Sequence, residues 1–167
     1  MINKFLILLI ITFGFSYGAV AVMEQAVNKI VVYKNDRKMF LYNKDVKIKE
    51  YDIDLGFDPF GHKQKEGDGK TPEGIYKISG RNPNSSYYLS LRISYPSEQD
   101  KLNAKKLGVN PGGDIMIHGL PNKLSSFGFG FLLSKDWTLG CIALKSNKEM
   151  KEVWDLVENG TLIEINP

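Results

Sequence analysis

The run Tyr87–Tyr95 (YYLSLRISY) constrains the fold more than any other part of the chain. Leu89, Leu91, Ile93 and Tyr95 fall on one side, and Ser90, Arg92 and Ser94 on the other. A period of two sends successive residues to opposite faces of a strand, so this segment is a strand with one apolar face. Shorter runs repeat the theme. Lys29–Lys34 and Lys38–Tyr42 flank the turn Asn35-Asp36, and Val46–Leu55, Gly74–Ser79, Gly113–Gly119, Cys141–Leu144 and Thr161–Ile165 follow. Only two segments have helical signals. Ser97 caps a helix to Leu107, with Asp100 three residues on and Gly108 as the stop. Ser146 and Glu149 form a capping box before Met150, Val153, Trp154 and Val157, which share one helix face, and Gly160 ends that helix. Seven or eight strands and two helices predict a mainly β single domain with a sheet-on-sheet, β-sandwich-like core.

Residues 1–21 stand apart. Lys4 precedes an apolar stretch from Phe5 to Phe15, and Ala19-Val20-Ala21 has the small-x-small form of a cleavage site. This reads as a secretory signal peptide, with residues 22–167 as the exported domain. An uncleaved anchor is the rival reading, which Gly14, Ser16 and Gly18 weaken. Export places the domain in the periplasm or cell envelope. There, a chain with one Cys forms no internal disulfide and carries an unpaired thiol. Two His are too few for a classical three-His or Cys/His zinc site. A net charge of +3 with scattered basic residues gives no reason to expect nucleic acid.

Two residues carry candidate chemistry: His118 at a strand end and Cys141 after the turn Trp137-Thr138-Leu139-Gly140. A thiol becomes a useful nucleophile beside a base, and an imidazole is the usual one. A thiolate–imidazolium pair would hold the thiol below its free value of about 8.5. Gly140 permits a tight bend that lets neighbouring amides converge as an oxyanion hole. The plain alternative is a small buried Cys and a structural His. His62 reads as a solvated loop histidine, Lys70 and Glu73 as solvated charges, and Trp154 as core. The long aperiodic loop 56–74 reads as functional.

The segments Ile117-His118-Gly119 and Thr138-Leu139-Gly140-Cys141-Ile142-Ala143-Leu144 resemble the L,D-transpeptidase catalytic-domain family of peptidoglycan enzymes. Gly67-Asp68-Gly69-Lys70-Thr71-Pro72-Glu73-Gly74 resembles that family's G-D-x-x-T-P-x-G segment. The stretch from Asp136 to Ala143 is similar to a divergent branch. Leu139 stands where commoner members have His, and Ala143 where they have Arg.

The resemblance implies a β-rich L,D-transpeptidase fold and a Cys thioester enzyme acting on peptidoglycan stem peptides, with no metal or organic cofactor. It implies Cys141 as nucleophile, His118 as proton donor and acceptor, and the Gly119 carbonyl as the group orienting His118. Backbone amides of Leu139, Gly140 and Cys141 would hold the oxyanion. Arg92, Trp137 and Thr138 are the candidate substrate contacts, Arg92 and Trp137 as substitutes for the missing Arg. An amine acceptor gives transpeptidation; water gives carboxypeptidase or endopeptidase activity, with an envelope lipoprotein as a second partner class. An inactive envelope-binding module and a thiol redox protein are the other classes, the last lacking Cys-x-x-Cys.

Overall fold

A computed structural model of the chain describes residues 26–123 and 135–167. The expected signal segment and the apolar stretch Phe127–Leu133 lie outside the described residues. Eight strands and two helices occur among those residues, in the order β1 (Lys29–Tyr33), β2 (Lys38–Asn43), β3 (Val46–Asp54), β4 (Gly74–Ser85), β5 (Tyr88–Ile93), α1 (Glu98–Leu107), β6 (Met116–His118), β7 (Ile142–Leu144), α2 (Asn147–Leu156) and β8 (Leu162–Asn166). Among the described residues, the mainly β fold with two helices expected from the patterning is the one found.

The strands close on themselves in the order β1-β2-β3-β7-β6-β5-β4-β8, a barrel-like sandwich with no open edge. Two parallel pairings close the ring, β1 with β8 and β6 with β7; the other six are antiparallel. The alternation read in β5 holds: Leu91 and Ile93 are buried in the core with Ile30, Ile53, Ile117 and Ile142. Helix α2 packs against β5 and β7 and adds Met150, Val153 and Val157 to that core.

Both N-caps form, but only Ser97 closes a reciprocal capping box; at Ser146 the Glu149 carboxylate takes the hydroxyl instead of the cap amide. Ser97 Oγ accepts from Asp100 N at 3.2 Å, and Asp100 Oδ2 accepts from Ser97 N at 2.8 Å. Ser146 Oγ accepts from Glu149 N at 3.2 Å. Such caps each stabilise a helix by about 1 kcal/mol. Strand β4 runs past the expected Ser79 to Ser85 and includes Pro83. Its register shifts between Asn82 and Ser85, and a strand tolerates proline at such an irregularity. The extension is polar because it walls a cleft rather than the core, which hid it from an apolar-periodicity test.

The loop 56–74 is tied down by charges. Lys34, 1% exposed, donates through Nζ to Gly61 O at 2.6 Å, Thr71 O at 2.9 Å and Glu73 Oε1 at 2.8 Å. Asp68 accepts from the amides of Gln64, Lys65 and Lys70 and pairs with Lys63 Nζ at 2.8 Å. Burial opposes ionisation of Asp68, but Lys63 and those amides outweigh it and hold the carboxyl at about 2. Three side chains expected to be solvated are therefore anchors. Glu73 pairs with Lys34, and Lys70 pairs with Asp58. His62 accepts from Glu73 N at Nδ1 and meets Asp100 Oδ1 through Nε2 at 3.1 Å.

Candidate active site

Cross-strand register builds one wall of the site. Asn82 of β4, Ser90 of β5, His118 of β6 and Ala143 of β7 are successive partners across four strands. Residues directly opposite one another share a face of the sheet. His118 is only 4% exposed, and its Nδ1 lies 2.7 Å from Gly119 O. A carbonyl accepts and does not donate, so Nδ1 carries the proton and Nε2 keeps its lone pair. Glycine at 119 is required sterically. A Cβ there would sit 2.7 Å from Asn147 Oδ1 and 3.1 Å from Tyr87 O.

The other wall is the turn before β7, and the long loop backs it. Gly56 bridges Thr138, with Thr138 N donating to Leu55 O at 3.1 Å and Phe57 N to Thr138 O at 3.0 Å. Gly140 sits at φ +127°, and a Cβ on it would lie 2.6 Å from Lys70 O. Asp136 anchors the start of the turn. It accepts from Arg37 Nη2 at 2.8 Å, Arg37 Nε at 3.1 Å and Leu55 N at 3.1 Å. Thr138 Oγ1 ties the turn to itself, donating to Cys141 O at 2.8 Å and accepting from Gly140 N at 3.1 Å. That last bond corrects one expectation. The Gly140 amide is engaged by Thr138, so Thr138 shapes the turn and the amides of Leu139 and Cys141 are the remaining candidates.

Cys141 and His118 line the same cavity, of about 440 Å³, together with Tyr87, Ser90, Asp114 and Trp137. The Cys141 thiol lies 3.5 Å from Asp114 O and accepts from the Met116 amide. Burial pushes this thiol up, with the Met116 amide opposing. Burial pushes the His118 imidazole down, with the Gly119 carbonyl opposing. Desolvation disfavours the charged form of each group. The direction found for the thiol is opposite to the depression expected from a pre-formed ion pair. Rings enclose the imidazole: Tyr87 at 4.6 Å between centroids and Trp137 at 5.6 Å, with Tyr87 and Trp137 5.9 Å apart. Tyr87, which reads in the sequence as one more strand residue, is a wall of the site.

Leu139 stands at the cavity with 75% of its surface exposed, while Ala143 is fully buried. Arg92 is outside this cavity. It lines a smaller adjoining recess of about 230 Å³ with Gly80, Arg81, Asn82, Ser90 and Met116, and it pairs with Asp114 at the boundary of the two. Two buried polar atoms of the site, Ser90 Oγ and Trp137 Nε1, meet no hydrogen-bond partner among the described residues. Among those residues, no group of three or more His, Cys, Asp or Glu is arranged to hold a metal ion.

A thiol and an imidazole on one cavity, the imidazole tied through Nδ1 to a carbonyl, and a glycine turn fit the family pattern suggested by the two motifs. The model of the L,D-transpeptidase catalytic domain (YkuD) matches residues 28–165, which is nearly all of the described chain. The chain belongs to the L,D-transpeptidase catalytic-domain family. Over 96 residues it is 31% identical to the Escherichia coli (strain K12) protein named "Putative L,D-transpeptidase YafK", covering 54% of this chain and 37% of that one. Among solved structures, a point variant of the helical cell shape determining protein Pgp2 from Campylobacter jejuni superposes with a TM-score of 0.65 at 30% identity, covering 83% of this chain and 46% of that one. Bd1075 of Bdellovibrio bacteriovorus gives a TM-score of 0.57 at 28% identity, covering 84% and 48%. The chain therefore spans less than half the length of each of these relatives.

Proposed function

We propose that this chain is an exported cysteine enzyme that remodels peptidoglycan stem peptides, with residues 1–21 removed and 22–167 as its catalytic domain. The observation that carries the proposal is the shared cavity of Cys141 and His118, with His118 Nδ1 tied to Gly119 O and Nε2 left basic. Membership of the family supports peptidoglycan as the substrate.

The chemistry follows from the neutral pair. Sγ attacks the carbonyl of the third stem residue as its proton passes to His118 Nε2. A new S–C bond forms, and the carbonyl electrons move to oxygen, where the Leu139 and Cys141 amides donate. The Gly119 carbonyl stabilises the imidazolium that results. Collapse breaks the C–N bond, and the proton on Nε2 goes to the departing amine, leaving a thioester on Cys141. An acceptor amine then gives up a proton to His118, attacks the thioester and releases the thiol. This is L,D-transpeptidation, the reaction we assign. Water in place of the amine makes the same site an L,D-carboxypeptidase, or an endopeptidase on lipoprotein-linked stems.

The test is to incubate the purified protein with a stem tetrapeptide and a labelled amine acceptor. Labelled cross-linked product is expected. Tripeptide alone at saturating acceptor assigns the hydrolase, and no turnover of either kind refutes the enzyme reading in favour of an envelope-binding module.

A further inference from the structure

We propose that Asn147 is a positioning residue for His118, acting through the peptide unit that joins Gly119 to Leu120. This rests on the Cys141–His118 reading above and names the group that fixes its base.

Strand β6 ends at His118. Gly119 N still donates to Tyr87 O at 3.1 Å, but the next amide turns to a side chain. Leu120 N donates to Asn147 Oδ1 at 2.9 Å, across 27 positions. Gly119 O, 2.7 Å from His118 Nδ1, belongs to the same peptide unit as Leu120 N. That unit is planar, so its C=O and N–H move together. One line of hydrogen bonds therefore runs from the imidazole N–H to the Gly119 carbonyl, and through one rigid plane from the Leu120 amide to Asn147 Oδ1. Bonds in such a chain polarise one another, so an acceptor on Leu120 N makes Gly119 O a better acceptor for the imidazole.

Two further observations single out Asn147. Gly119 lacks the positive φ of the chain's turn glycines, so its backbone conformation alone would admit a side chain. Space is what excludes one: a Cβ would lie 2.7 Å from Asn147 Oδ1. Glycine at 119 thus lets the Asn147 side chain reach the peptide that holds the base. Asn147 is also fixed in place. It opens α2 directly after the cap residue Ser146, and Met150 and Val153 seat that helix on the core. The titratable side chains that line the His118 cavity are Tyr87, Asp114 and Cys141, and Lys148 and Glu149 follow Asn147 on α2. Substitutions at 147 leave all of them in place.

The test compares Asn147→Ala with Asn147→Asp, which keeps an acceptor oxygen of the same reach and adds a charge. Turnover of a stem tetrapeptide is measured, with the pH profile of kcat/KM. The His118 Nδ1–H signal is followed by NMR in protein carrying isotope-labelled histidine, assigned with His118→Ala. Asn147→Ala should lower kcat about tenfold with KM unchanged, since the lost contact acts on the base and not on binding. Its Nδ1–H signal should shift upfield or vanish by exchange. Asn147→Asp should keep kcat close to the wild type's. It should also move the acid limb of the profile up by about one pH unit, because a carboxylate one peptide away favours the imidazolium. An equal loss of kcat in both variants, an unmoved acid limb in Asn147→Asp, or an unmoved Nδ1–H signal in Asn147→Ala would show a residue that only pins the loop, and would overturn the proposal. If the wild type does not turn over the tetrapeptide, the enzyme reading falls. The Nδ1–H signal then decides by itself: a shift in Asn147→Ala upholds the hold on the imidazole, and no shift overturns it. An acidic residue suits the first turn of a helix, so Asn147→Asp stays informative should Asn147→Ala weaken α2.

Discussion

The ion pair between Arg37 and Asp136 should be a main anchor of the catalytic turn, and its strength can be worked out from its geometry. Asp136 accepts three bonds from the guanidinium and one from Leu55 N, and the two side chains are only 14% and 11% exposed. Breaking a fully buried pair costs about 3–5 kcal/mol, and an exposed one about 0–1 kcal/mol. At this depth Asp136→Ala should lose about 2–3 kcal/mol, because it leaves both a guanidinium and an amide without their acceptor. Arg37→Ala should lose somewhat less, since Leu55 N keeps its partner. In a double-mutant cycle read by urea denaturation, the coupling should be about 1.5–2 kcal/mol. The coupling should also depend on pH. Burial opposes ionisation of Asp136, but Arg37 and the Leu55 amide outweigh it and hold the carboxyl below the usual range. A depressed folded-state value gives stability that is present above the unfolded value of about 4 and lost as the pH falls through the folded one. Activity should drop with stability, by about ten- to a hundredfold in kcat/KM, because the turn that aims Cys141 is no longer held in register. A coupling below about 0.5 kcal/mol at neutral pH would mean the pair behaves as a surface contact, and the reasoning would be wrong.

Three further perturbations probe the rest of the site. Gly56→Ala would place a Cβ 1.9 Å from Gly69 O and 2.9 Å from Gly140 Cα, all backbone, so it should destabilise by about 3 kcal/mol and cut turnover; a thermal midpoint equal to the wild type's would contradict this packing. Stability should decline from about pH 4 towards pH 2 as Asp68 is protonated, and Asp68→Asn should flatten that slope while losing stability at neutral pH; an unchanged acid limb would rule out the role given to Asp68. The alkylation rate of Cys141 in the free enzyme should rise with a midpoint above the free-thiol value of about 8.5, because burial favours the thiol; a midpoint well below it would restore the pre-formed ion pair.

Much of the fold was legible because its signals are local. The alternation in Tyr87–Tyr95 and the Ser97 and Ser146 caps each depend on residues a few positions apart. The candidate pair of Cys141 and His118 was legible for a different reason. A lone Cys behind an expected signal segment, a glycine turn and a His-Gly at a strand end are each unusual enough to stand out. What the sequence did not reveal is long-range or depends on burial. The barrel is closed by β1 against β8 and by β6 against β7, and parallel pairings leave no turn signal. Arg37 meets Asp136 across 99 positions, and Lys34 reaches its loop across 37. Polarity alone made Glu73, Lys70 and His62 look solvated, whereas each has a fixed partner. The Gly140 amide looked free because nothing in the order of residues says that the Thr138 hydroxyl turns back to take it. The direction of the thiol's shift depends on how deeply the cavity buries it.

The central claim is a covalent acyl-enzyme on Cys141, and intact-protein mass spectrometry tests it most directly. The protein is mixed with a stem tetrapeptide donor, quenched in acid within the first turnovers and weighed, with Cys141→Ala alongside. The account predicts a mass increase equal to the donor minus its released amino acid, located on Cys141 by peptide mapping and absent from Cys141→Ala. Donor turnover by Cys141→Ala at the wild-type rate, or an adduct mapping to any other residue, would contradict it.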